Sequence, residues 1–364
     1  MKQLQSLNGI RFIFFMCVFF SHYVIMGSGR VLPNAGEFAV VFFFMLSGFS
    51  LSYGYGERID TIPYGDFIKK RLLRLWPMQI LTLLLRSVPL LLIPLIVGNL
   101  DIKNVISFIL KLFFLEGWVP NEDIIFNYNS CAWYLSPLVF CYFLFPFLYK
   151  WVIKIKPTQL ALAIFAYLAI YVACIFIIPQ ERHQVFLYAA PYFRFFDFAL
   201  GIMLFRVYKN KNFHSSLKVK NTIFSECLIL VFIALIAWLP LKGVPQVFKM
   251  ASVYWIPAIL IILSYLLVES TGTISIIKLK WIQRFGDASY EMYMTHLFIV
   301  TFFNHIGVRF ITPNNIMLQV TWMMACLVLS IIVGMAVRKY VNIPLSGLIK
   351  KEFYDLSYIL GNKR

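Results

Sequence analysis

The sequence predicts an all-α polytopic membrane protein of about ten transmembrane helices with one short interfacial or re-entrant helix. Three observations predict it. Of 364 residues, 61% are hydrophobic and only 13% are charged, about half the charged share of an average soluble domain. Mean hydropathy is +0.79. Runs of about 20 predominantly apolar residues, long enough to cross the hydrocarbon layer, recur near 7–27, 36–55, 75–98, 132–150, 157–179, 186–207, 222–240, 248–268, 287–307 and 317–337. Aromatic residues reach 18%, with 37 Phe and 20 Tyr, which suits a bundle enclosing an amphipathic cavity. No segment reads as a separate soluble domain. Residues 1–343 form one membrane domain and 344–364 a short cytoplasmic tail.

The first span, LNGIRFIFFMCVFFSHYV, carries Arg11 and His22. At ~1.5 Å per residue they lie ~16 Å apart along the axis, about three turns, so both side chains point the same way. Ionisable groups at that depth are costly unless they face a protein interior or a wet cavity, which makes the pair a catalytic candidate. The alternative is an Arg11 that snorkels to the interface and a His22 that satisfies a neighbouring helix. The second span ends in VVFFFMLSGFSLSYGYG, where Ser47 and Gly48 interrupt a bulky run. Small residues there let helix backbones approach, or let an extended ligand arm pass. Just before the third span, DFIKKRLLRLWPMQI crowds Lys69, Lys70, Arg71 and Arg74 at a membrane boundary. Arg71 and Arg74 share a helix face. Their guanidinium forks suit bidentate phosphate recognition, with Trp76 beside them as a stacking surface. Simple contact with lipid headgroups would account for the same basic cluster.

The stretch 103–118 is short and carries Lys103, Lys111 and Glu116, so it reads as interfacial or re-entrant, with loop 119–131 on the same face. In span 186–207, FRFFDFALG puts Arg194 and Asp197 one turn apart, either as a structural ion pair or as groups that orient an acceptor or His22. The ninth span opens with RFGDASYEMYMTHLFIV, in which Tyr293 and His296 share a face. His296 is either a hydrogen-bonded interior histidine or a second site residue. His183, His214 and His305 fall at or near loops, where a solvated imidazole is ordinary.

Charge orients the chain, because Lys and Arg accumulate in cytoplasmic loops. With ten spans and both termini inside, most of the 33 Lys and Arg face the cytosol, and counting 103–118 as a span would undo that bias. The net charge of +17 therefore reports orientation and contact with anionic lipid. The basic residues are scattered over several loops, which argues against nucleic acid as a partner. The N-terminal run lacks a small-residue cleavage site and stays as a signal anchor. The six Cys mostly fall inside spans, with no disulfide framework, and neither Cys nor His shows metal-ligand spacing, so no metal is expected. No internal repeat is evident, which disfavours repeat-built transporter folds.

Taken in order, LNGIR followed by SHY, then FFFMLSGF, KKRLLRLWP, AWYLSPLVFCYFLFP, RFFDFALG and FGDASYEMYMTH resemble the bacterial acyltransferase 3 family, from about Leu7 to Ile299. Members are integral membrane enzymes that O-acylate surface polysaccharides, lipopolysaccharide, peptidoglycan and some small molecules. The resemblance implies essential roles for Arg11 and His22, and acyl-CoA binding at Arg71 and Arg74. It implies an inner-membrane enzyme that takes acyl-CoA, most simply acetyl-CoA, from the cytosol and acylates a glycan or other hydroxyl acceptor. The thioester arm would run past Ser47 and Gly48 to His22, acting as general base or as transient acyl carrier. One departure stands out: many members have an acidic residue shortly after a WSLS-type motif, whereas Trp133 to Ser136 continue here as Pro137 and Leu138. Many members also carry an extracytoplasmic hydrolase-like domain, which is not expected here. The acyl group would then be transferred by the membrane part itself or handed to a separate extracytoplasmic partner. A glycan transporter and an inactive scaffold are the rival readings.

Overall fold

The computed structural model describes residues 4–25, 29–210, 222–238, 241, 243–270, 275–311 and 315–348. It is helical almost throughout. The longer helices are α1 (Gln5–His22), α2 (Ala35–Tyr55), α3 (Tyr64–Ser87), α4 (Ile102–Leu112), α5 (Leu135–Lys154), α6 (Pro157–Ile177), α7 (Pro191–Tyr208), α8 (Thr222–Trp238), α9 (Trp255–Ser270), α10 (Lys280–Asp287), α11 (Ser289–Gly307) and α12 (Ile316–Val337). Among the described residues the only sheet is a two-stranded antiparallel one, Val24–Ile25 against Gly29–Arg30.

A helix lies at each expected span, but length and composition support fewer than ten crossings. Among the described residues six segments are long and apolar enough: Ala35–Arg58, Tyr64–Val97, Ser130–Lys154, Pro157–Ile177, Ser252–Glu269 and Ile316–Leu348. A seventh is gained if Gln180–Ala189 and Pro191–Tyr208, which meet at a 46° bend, count as one. Helix α8 falls short in length. Helices α1 and α11 fall short because Arg11 and His22 in one, and Glu291, His296 and Asn304 in the other, dilute their apolar runs. The helices that lose hydropathy are therefore those that carry the candidate site.

Two boundaries also differ from expectation. Helix α3 begins at Tyr64, just after Pro63, well before the expected span start at 75, so the helical Lys69–Arg74 cluster is continuous with the third span. Beyond α12 the helix runs through a π turn, Arg338–Asn342, and on to Leu348, past the expected domain boundary at 343; residues 349–364 lie outside the described set. The 103–118 stretch forms α4, 11 residues long and so ~16 Å, about half the hydrocarbon thickness. A buried Lys111 fastens the chain after it, donating to Ile125 O at 2.7 Å and lying 3.8 Å from Glu116.

Helix α2 is the axis of the bundle. Phe38, Ala39, Val41, Phe42, Phe44 and Met45 are fully buried, and Phe14 of α1 stacks flat on Phe42 with centroids 3.6 Å apart. On its other side α2 meets α7 through two glycines. A Cβ on Gly48 would lie 2.0 Å from Phe198 O, and one on Gly201 1.9 Å from Met45 O. Lipid tails are as apolar as leucine, so such close backbone packing, rather than exclusion of water, holds the pair together. In contrast only 6% of the Pro157–Ile177 window is buried, which puts α6 at the periphery.

Candidate active site

Two cavities lie beside α2 and share part of their walls. The larger, about 340 Å³, is lined by Arg11 of α1, Ser47 of α2, Arg71 and Arg74 of α3, and the aromatic rings of Tyr134 and Tyr142. The smaller, about 160 Å³, is lined by His22, Glu37, Cys131, Trp133, Gln184 and Tyr188. Val40 and Tyr293 belong to both walls. The stripe of α1 that carries Arg11 and His22 thus contributes one residue to each chamber.

In the arginine chamber three guanidinium groups line one cavity, a cationic surface suited to a polyanion. Arg71 donates to Tyr55 Oη, and its Nε is buried without a partner. Arg74 is exposed. Ser47 faces this chamber, while its neighbour Gly48 sits in the contact with α7. Trp76 turns away from both cavities: its Nε1 donates to Leu112 O at 2.9 Å, tying α3 to the end of α4.

The second chamber holds a histidine pair. His22 Nδ1 lies 3.1 Å from His296 Nε2, and His296 Nδ1 lies 2.7 Å from Tyr293 O. A carbonyl oxygen only accepts, so the proton of a neutral His296 resides on Nδ1 and its Nε2 carries the lone pair. That lone pair accepts from His22 Nδ1–H. The remaining nitrogen of His22, Nε2, is then the basic one. His296 is fully buried and His22 partly exposed along the cavity wall. The Tyr293 hydroxyl donates to Cys131 O at 2.9 Å, and Asn129 donates to Met294 O at 2.8 Å, so α11 is pinned to the loop that precedes α5.

Cys131 Sγ approaches His296 Nε2 at 3.9 Å, and the donor atoms of His22, Cys131 and His296 all lie within 4.8 Å of one another, close enough to hold a metal ion. Sequence spacing shows no such cluster, because its members come from α1, α11 and the turn before α5. A His₂Cys set matches zinc chemistry. Any ion there would have to replace the hydrogen bond between the two imidazoles.

Arg194 and Asp197 pair at 2.7 Å, each only 1% exposed. Every arm of the pair is engaged: Arg194 donates to Tyr188 O and Met250 O, and Trp255 Nε1 donates to Asp197 Oδ1 at 2.6 Å. Neither side chain lines a cavity wall described above. Arg194 instead lies over the Tyr188 ring, 4.8 Å from its centroid, and so backs the wall of the histidine chamber. Sequence reasoning missed Glu37, Cys131, Gln184 and Tyr188. For Glu37 the signal was present, since an acid in the first turn of an apolar span meets the same criterion that singles out His22.

Comparison with known proteins places this geometry in a family. A family model described as an acyltransferase domain matches residues 4–339. The acyltransferase MdmB of Streptomyces mycarofaciens is 23% identical over 323 residues, covering 82% of this chain and 80% of that protein. Protein 2 in the picA locus of Rhizobium radiobacter is 44% identical over 57 residues, 15% of this chain and 30% of the other. No solved structure matches. With nearly its whole length matched, and an acyltransferase relative aligned over most of both chains, the chain belongs to the acyltransferase 3 family of multi-pass membrane acyltransferases.

Proposed function

We propose that this acyltransferase moves an acyl group, most simply acetyl, from cytosolic acyl-CoA to a hydroxyl of a cell-surface polysaccharide or other glycan. The observation that carries the reading is the pair of chambers sharing Val40 and Tyr293, with three arginines in one and a hydrogen-bonded histidine pair in the other. Arg71 and Arg74 bind donor phosphates, and Arg11 adds charge deeper in the same chamber. The thioester arm extends past Ser47 to the wall shared by the two chambers. From the far side the acceptor hydroxyl approaches His22.

His22 Nε2 takes the hydroxyl proton as the oxygen attacks the thioester carbonyl carbon. A C–O bond forms, the tetrahedral intermediate collapses, the C–S bond breaks, and the proton on Nε2 passes to the departing thiolate. Free CoA and the O-acyl product result, with His22 restored. Glu37 lines the acceptor chamber beside His22 and supplies there the carboxylate that the sequence lacks after Ser136. The distribution of Lys and Arg supports reading the arginine chamber as the cytosolic one, in an inner-membrane enzyme with both termini inside. A separate extracytoplasmic protein that accepts the acyl group first remains compatible with the same chemistry.

Purified protein in detergent, given labelled acetyl-CoA with and without glycan, tests the proposal. Transfer to glycan should appear with the wild-type chain and fall by about 10²-fold or more in His22→Ala, the usual worth of a general base. Full transfer by a normally folded His22→Ala protein would remove the mechanism.

A further inference from the structure

A third recess, about 370 Å³, adjoins the arginine chamber and shares Arg74 and Tyr290 with it. Its remaining wall comes from Asp287 and Glu291 and from the π turn and helix that follow α12, which contribute Arg338, Asn342 and Ser346. π turns redirect side chains within a helix and recur at functional sites. Glu291 is 1% exposed. Its Oε1 accepts from Asn342 and, at 3.5 Å, from Arg338. Its Oε2 is buried with no hydrogen-bond partner among the described residues. A buried carboxylate oxygen without a donor is costly, and Glu291, whose side chain borders the recess, gains from an N–H or O–H that a ligand there brings to it.

The recess therefore asks for a ligand of mixed character: anionic groups for Arg74 and Arg338, and an N–H donor for Glu291. An adenine nucleotide has both, in its phosphates and its exocyclic amine. We infer that this recess binds the adenosine phosphate head of the acyl-CoA donor, with the base amine donating to Glu291 Oε2, a phosphate on Arg338, and the diphosphate bridging at Arg74 into the chamber that takes the acyl-pantetheine arm. The inference rests on the acyl-CoA reading above. The adenosine head then lies in the recess, the diphosphate at the Arg71 and Arg74 end of the chamber, and the arm runs on past the chamber's tyrosines.

Equilibrium binding to the full chain in detergent tests it with three probes: acetyl-CoA, adenosine bisphosphate as the isolated head, and acetyl-pantetheine as the isolated arm. Adenosine bisphosphate should compete with acetyl-CoA. Arg338→Gln and Glu291→Gln should each weaken acetyl-CoA by about tenfold, the scale of one charge-assisted hydrogen bond, and leave acetyl-pantetheine unchanged. Arg338→Lys, which keeps a cation without the fork, should fall between, and an unaltered melting temperature separates lost binding from lost folding. Wild-type acetyl-CoA affinity in both folded glutamine variants overturns the assignment, leaving a solvated cleft around an ion pair. A wild-type chain that binds no acetyl-CoA overturns the donor reading and this one with it.

Discussion

Because Tyr293 O accepts from His296 Nδ1, the protonation pattern of the pair runs from a backbone carbonyl through His296 to His22, and ends on the nitrogen that meets the acceptor. His296 is a positioning residue in this scheme. Replacing it by alanine removes the acceptor opposite His22 Nδ1–H and loosens the ring, a loss of about 1–3 kcal/mol, or roughly 5- to 150-fold in turnover. Acetyl-CoA affinity should not change, and an unchanged turnover in His296→Ala would show that the pair is only structural. The sequence exposes both histidines as interior groups on helices, but their meeting is not legible there. It depends on the rotation of α11 against α1, which no spacing within either helix encodes. Cys131 was hidden for the same reason, in a loop whose placement is set by Asn129 and the Tyr293 hydroxyl.

Among the elements, α2 carries the most and tolerates the least. The two readings of its small residues separate by one position: Ser47 lines the arginine chamber, whereas Gly48 fills the contact with α7. Gly48→Val should therefore act on stability. Its Cβ would meet backbone, which cannot yield as a flexible side chain can, and overpacking of this kind costs about 1–3 kcal/mol or more. A lowered melting temperature in detergent is the expected result; a stable Gly48→Val chain with weakened acetyl-CoA binding would return Gly48 to the ligand path. Arg194 and Asp197 belong to the same scale. Removing one partner leaves a buried charge, so Asp197→Ala should destabilise by about 3–5 kcal/mol, visible as a loss of melting temperature larger than that of the double variant lacking both. Helix positions were legible from apolar runs. That Trp76 meets the end of α4 was not legible, because no spacing within α3 encodes which neighbour its faces meet.

For the whole molecule, the polar helices α1 and α11 pack on each other, and α1 packs in turn on the apolar axis α2, so that the groups most costly to bury face interior cavities. Class and family were legible in composition and motif order. The division into chambers was not, since the residues common to both walls, Val40 and Tyr293, come from different helices, α2 and α11. That shared wall carries the central claim: donor binding and acyl transfer occupy different chambers joined there. Val40→Trp, measured for acetyl-CoA affinity and acyl transfer on one folded preparation, tests it most directly. The account predicts transfer lowered by at least about 10²-fold with acetyl-CoA affinity changed far less, because the donor phosphates bind at the arginines while an oversized ring keeps the reacting atoms beyond the ~3–3.5 Å that attack requires. Transfer at the wild-type rate, or affinity and transfer falling together, would contradict it.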